Sequence, residues 1–158
     1  MADSGRITPE EAETLELYDP GPASRVRMRS VKLFTDGALG SWGAALLSPY
    51  TDKPEVSGIM RLPEEELDRA ARTWWSRGWG VVSILCMIWY ELRMQLTKTH
   101  QNIHAIGDRA NKAVLDVFEG IARDADEKDA VAKGRPRIEH SQIMQMADLK
   151  RSGKLGGA

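Results

Sequence analysis

With 158 residues, 42% of them hydrophobic and 28% charged, the chain is long enough to bury one ordinary core and has the composition of a globular protein. A formal net charge of -1 supplies no field that would draw it to nucleic acid or an anionic membrane, so neither is an expected partner. The single Cys86 excludes an internal disulfide, the amino terminus lacks the apolar core of a secretory signal, and no apolar stretch reaches the about 20 residues of a membrane span; the expected location is cytoplasmic.

In chain order, Thr8, Pro9, Glu10 and Glu11 combine an N-cap residue, a proline for the first helical position and early acids, which predicts a short surface helix over 8–13. Asp19, Pro20, Gly21 and Pro22 then break the chain, and the pattern turns continuously apolar towards a buried strand at 30–35. Gly37, Gly40 and Gly43 mark 36–50 as a loop, long for a connector, that either covers a site or is a surface excursion. Pro63, Glu64, Glu65 and Glu66 repeat the helix-start chemistry, and Leu67, Ala70, Ala71 and Trp74 fall on one helical face.

Gly78 and Gly80 end that helix before a further apolar run. Residues 108–123 read as a second amphipathic helix through Ala110, Val114, Val117, Phe118 and Ile121. A polar connector follows at 124–135, then a short strand at 136–140 and a last helix at 144–151. Such alternation predicts parallel βα units within one domain spanning 1–158.

Three of the apolar runs place a metal-competent side chain at or near their ends: Lys32, His104 and His140. Neighbouring parallel strands lie about 4.8 Å apart and imidazole nitrogens bind zinc at about 2.0–2.1 Å, so two histidines at adjacent strand ends can reach one ion. The competing reading of each histidine is a satisfied core residue. Lys32, in a buried strand, must find a counter-charge or lose its proton. As a neutral amine it can add carbon dioxide, forming a carbamate able to bridge two metals; the alternative keeps its head in water.

The stretches Val31-Lys32-Leu33-Phe34-Thr35-Asp36-Gly37, Asn102-Ile103-His104-Ala105-Ile106-Gly107-Asp108-Arg109 and Arg137-Ile138-Glu139-His140-Ser141-Gln142 resemble, in this order, the YtcJ-like branch of the amidohydrolase superfamily, amidohydrolase family 3. The resemblance implies a metal-dependent (β/α)8 TIM barrel that hydrolyses non-peptide C–N bonds of small amides with hydroxide held on one or two divalent ions, zinc being the expected metal. A whole barrel takes about 250 residues, so this chain is expected to be a partial one, holding the βα units around strands 4–6. By motif, Lys32 matches the fourth-strand lysine that is carboxylated in two-metal members. His104 and His140 match the fifth- and sixth-strand ligands, and Asp36 and Gly37 are expected to bind substrate at the mouth.

The resemblance also implies a His-x-His pair and an aspartate general base from other strands. The three histidines of this sequence, His100, His104 and His140, contain no such pair, and no catalytic residue is assigned. The alternative expectation is therefore an inactive fragment with weak metal binding and a tendency to self-associate through exposed sheet edges.

Residues 82–101 interrupt the match. Val82-Ser83 can be encoded by GTAAGT and Gln101 by CAG, the usual boundaries of a spliceosomal intron, so the segment is expected to be a retained intron read in frame; a genuine insertion is the competing view. His100 and His104 have the spacing of a helical zinc pair, but no glutamate base accompanies them and His104 is better placed as a strand ligand.

Overall fold

A computed structural model describes residues 14–16, 31–78, 102–125, 131, 134 and 136–155. The expected helix at 8–13, the apolar run after Gly78, the segment 82–101 with His100, and most of the 124–135 connector lie outside the described residues.

Three strands, β1 (Lys32–Phe34), β2 (Asn102–Ala105) and β3 (Arg137–His140), pair in parallel in the order β1-β2-β3. Among the described residues, the helices α1 (Glu64–Ser76), α2 (Asp108–Asp124) and α3 (Met146–Lys154) alternate with them along the chain. This is the parallel α/β order that the alternating pattern predicts. β2 begins at Asn102, where the family-like sequence resumes after the interruption.

Helix α1 starts with three acids, Glu64, Glu65 and Glu66, against the positive end of its dipole and buries Leu67, Ala71 and Trp74. Gly78 closes it in a left-handed conformation (φ 72), its N–H donating to the Trp75 carbonyl at 2.9 Å. Helix α2 buries the expected stripe of Ala110, Val114, Val117, Phe118 and Ile121 against Ile103 and Ala105, with Leu33 and Ile138 beside them. Ile103 and Val114 are fully buried, and each such side chain contributes about 1.5–3 kcal/mol of hydrophobic stabilisation. The helices thus cover the face of the sheet that carries Leu33, Ile103 and Ile138.

Several boundaries differ from the sequence reading, β1 and β3 being shorter than expected and α3 extending to Lys154. Helix α3 begins at Met146 rather than 144, because Gln145 keeps an extended backbone and donates its side-chain amide to the Asp108 carboxylate, while the Ile143 N–H is held by the Ile106 carbonyl at 2.9 Å. Ion pairs then fasten α3 to α2, Arg151 meeting Glu119 at 2.8 Å and Asp116 at 2.6 Å.

The loop expected at 36–50 is the outward half of a longer excursion. The chain returns along itself through Leu46 N–H to Ser57 O (2.8 Å), Tyr50 N–H to Val56 O (2.9 Å) and Ile59 N–H to Gly43 O (3.3 Å), and Arg61 N–H reaches Thr35 O at 2.8 Å. Its ends therefore meet, as in an Ω-loop. Ala44, Tyr50 and Ile106 form a small core beneath it. Gly58 makes the return possible: its φ is 79, and a Cβ there would lie 1.8 Å from the Ala44 carbonyl oxygen. No helix among the described residues is long and apolar enough to cross a membrane.

Candidate functional site

Successive side chains of a strand point to opposite faces, so the face not covered by helices carries the residues between the core positions. Register aligns Phe34 of β1, His104 of β2 and Glu139 of β3 across that face, with Lys32 one pleat back from Phe34. Lys32 reaches over the central strand to Glu139, Nζ to Oε2 at 2.9 Å, and also lies over the Phe34 ring at 5.0 Å from its centroid. The buried-strand lysine has therefore taken the first of its two options, a counter-charge. Glu139 is the partner that sequence reasoning did not single out.

His140 is in register with Ala105, a core residue, and strict alternation would send its ring to the helix side. Instead the backbone turns left-handed at His140 (φ 76) and Ser141 (φ 44), a conformation that non-glycine residues adopt only under local constraint. The His140 ring accordingly meets His104 edge-on, the centroids 4.6 Å apart at an interplanar angle of 73°. Backbone strain at the end of β3 is what brings the two imidazoles together.

The His104 side chain is 12% exposed, and its Nε2 is a buried atom with no hydrogen-bond partner. Asp36 Oδ1 lies 3.6 Å away, beyond hydrogen-bond range. Burial pushes the His104 pKa below its ordinary 6.5; the charges of His140, Lys32 and Arg61 push it the same way and Asp36 opposes them. Its folded state thus binds fewer protons than the unfolded chain just below pH 6.5. The corresponding stabilisation is present above that pH and is lost as pH falls towards the folded pKa. His104→Gln is expected to flatten this part of the pH dependence of the urea midpoint.

Asp36 is engaged by the fold itself. It is 1% exposed and its carboxylate accepts three backbone N–H groups, from Ile106 (3.0 Å), Gly107 (2.8 Å) and Ala45 (3.0 Å). An oxygen pair so engaged has little left to offer a substrate. Asp36 ties the excursion to the β2–α2 turn. Gly37 serves the same structure through its backbone, its N–H donating to Gly43 O at 3.0 Å.

Of the three proposed ligands, the fold therefore brings His104 and His140 into ring contact and keeps Lys32 on the same face, paired with Glu139. Among the described residues no group of three or more His, Cys, Asp or Glu side chains is arranged to hold a metal ion. The unpartnered His104 Nε2 and the adjacent imidazole nonetheless fit two positions of a metal centre, since neutral imidazole is a ligand for divalent ions.

The described residues thus form an α/β structure, a small parallel sheet with helices on one face and with Lys32, His104 and His140 brought together on the other. The model of the Amidohydrolase family matches residues 5–158, and the chain belongs to that family. It is 31% identical over 125 residues to Protein LONG AFTER FAR-RED 3 of Arabidopsis thaliana, covering 79% of this chain and 17% of that protein. It is 29% identical over 131 residues to Putative amidohydrolase YtcJ of Bacillus subtilis (strain 168), covering 82% of this chain and 20% of that one. Among solved structures, it is similar to an uncharacterized metal-dependent hydrolase from Pyrococcus horikoshii OT3, with TM-score 0.62 and 33% identity over 85% of this chain and 21% of the other. A second, from Pyrococcus furiosus, has TM-score 0.65 and 29% identity over 94% of this chain and 25% of its own. The chain spans no more than a quarter of these relatives' lengths.

Proposed function

We propose that the chain is the strand 4–6 portion of a (β/α)8 barrel and carries part of the active site of a metal-dependent hydrolase of small amides. The observation that carries this reading is the contact between His104 and His140, 4.6 Å between centroids, on the face that helices leave uncovered. His104 and His140 would hold the metal, with zinc the proposed ion. Lys32 stands on the same face as a further donor once it leaves Glu139. When bound, a divalent ion supplies the Lewis acidity that activates water and polarises the amide carbonyl.

The chain's own residues prepare that site. Burial of His104 favours its neutral imidazole over the charged one and leaves Nε2 without a competing partner. The left-handed pair at His140 and Ser141 holds the second ring beside it. Glu139 holds the Lys32 amine in place. Phe34, half exposed next to His104, offers the apolar part of a substrate a surface.

A second reading is favoured because, among the described residues, no group of three or more His, Cys, Asp or Glu side chains is arranged to hold a metal ion. On that reading the chain binds a divalent ion without turning over an amide, since catalytic zinc sites usually have three protein ligands. Zinc titration of the full chain, followed by calorimetry, tests the shared core of both readings. His104→Ala and His140→Ala are each expected to weaken binding by at least about tenfold; equal binding by both variants and the parent chain would overturn it. Turnover of a small amide by the zinc-loaded chain separates the first reading from the second.

A further inference from the structure

The left-handed backbone that turns the His140 ring towards His104 runs through two residues that carry side chains, His140 (φ 76) and Ser141 (φ 44). Such a pair persists only where its surroundings hold it. The chain around it is fixed to the end of β2 and the residue after it by Ser141 N–H to Ala105 O at 3.0 Å and by Ile143 N–H to Ile106 O at 2.9 Å. A buried side chain of α2 completes the attachment.

That side chain is Asn111, which lies in the first turn of α2 beside Ala110 and is fully buried. A polar residue enclosed there must find partners. Its Nδ2 donates to Gly107 O at 2.9 Å, to Ile106 O at 3.3 Å and to Ile143 O at 2.9 Å. The first two carbonyls belong to the turn between β2 and α2, and the third to the segment after β3, so one amide grips both. Its Oδ1 is a buried atom with no hydrogen-bond partner. Turning the group over would set that oxygen against three carbonyl oxygens, so the three carbonyls dictate which way the amide faces.

We propose that Asn111 is a positioning residue: by clamping Ile143 to the β2–α2 turn it maintains the left-handed backbone at His140 and Ser141, and so keeps the His140 imidazole against His104. Its acceptors are backbone carbonyls, so it acts through the chain and not on an ion. Released from the clamp, the backbone at His140 can return to the extended form, in which strand alternation sends the ring to the helix side. This inference rests on the reading of the two imidazoles as part of a metal site. The ring contact that it explains needs no metal.

The test is nuclear magnetic resonance of the metal-free full chain, reading cross-relaxation between the His104 and His140 rings, whose centroids lie 4.6 Å apart, followed by zinc calorimetry. Asn111→Ala is expected to abolish the ring–ring signal while the α1 amides stay protected, and to weaken zinc binding by about tenfold, as His140→Ala does. In a chain that already carries His140→Ala, the same substitution is expected to add nothing, because both act through one ring. Should Asn111→Ala leave the chain unfolded, a urea titration of the parent chain decides. The protection of the Asn111 side-chain amide and the ring–ring signal should then be lost together, before the α1 amides open. A ring–ring signal that survives in folded Asn111→Ala, outlasts the Asn111 amide in urea or falls only with the α1 amides would overturn the proposal. A further loss of about tenfold in the His140→Ala chain would overturn it too, since the effect would not pass through that ring. A parent chain that takes up no zinc, yet loses the ring contact with Asn111→Ala, would sink the metal-site reading and leave the positioning role standing.

Discussion

Replacing Asp36 by alanine is expected to destabilise the chain by about 4 kcal/mol, because three buried backbone donors lose their acceptor together. The Ala45, Ile106 and Gly107 N–H groups all point at this carboxylate, which is 1% exposed and leaves water no ready replacement route. Domains are stable by only about 5–15 kcal/mol, so the loss approaches the limit the fold can bear. Urea unfolding gives the magnitude, and hydrogen exchange gives the location: the amides of residues 45, 106 and 107 should lose protection before those of α2. Asp36→Asn keeps one acceptor but turns an NH2 towards a backbone N–H, and should cost about 2 kcal/mol. A cost for Asp36→Ala below about 1 kcal/mol, with the three amides still protected, would show that the carboxylate does not hold the excursion.

Gly107→Ala is the second large effect, about 3 kcal/mol, and its cause is steric. The backbone at Gly107 (φ -74, ψ 158) suits any residue, so no conformational strain arises. A Cβ at that position, however, would sit 1.9 Å from the Ala45 carbonyl oxygen, 2.5 Å from its carbon and 2.8 Å from its nitrogen. Backbone atoms cannot rotate away as a side chain does. The Ala45 peptide must therefore move, pulling its N–H from Asp36 and its carbonyl from the Arg109 N–H, now 3.2 Å away. Because both substitutions break the same contacts, the double variant Asp36→Ala/Gly107→Ala should cost clearly less than the sum of the single ones. Full additivity in urea unfolding would mean that the two positions act on different parts of the structure.

The residues that carry the candidate site were legible to different degrees. Lys32, His104 and His140 stand out because each lies at or near the end of an apolar run that is followed by residues suited to leaving a strand. Their meeting on one face was not legible for His140, since strand alternation argues against it and only its left-handed backbone resolves the conflict. Glu139 was passed over although it adjoins His140. Its importance depends on β1 and β3 flanking β2, a neighbour relation between residues far apart in the chain. Asp36 drew attention as a carboxylate near the mouth, and the fold turned it inward onto three amide donors. Nothing local shows that the chain just before the helix start at Pro63 returns to the end of β1, where the Arg61 N–H meets Thr35 O.

Local pattern set the helices α1 and α2 with their buried faces, the alternating order and the family, because apolar periodicity, capping residues and short motifs are properties of neighbouring residues along the chain. Which groups share a surface was settled only in three dimensions. Parallel pairing joins segments separated by long connections, and the Lys32–Glu139 ion pair, the His104–His140 contact and the return of Arg61 to Thr35 all arise from that pairing and from hydrogen bonds between distant backbone groups.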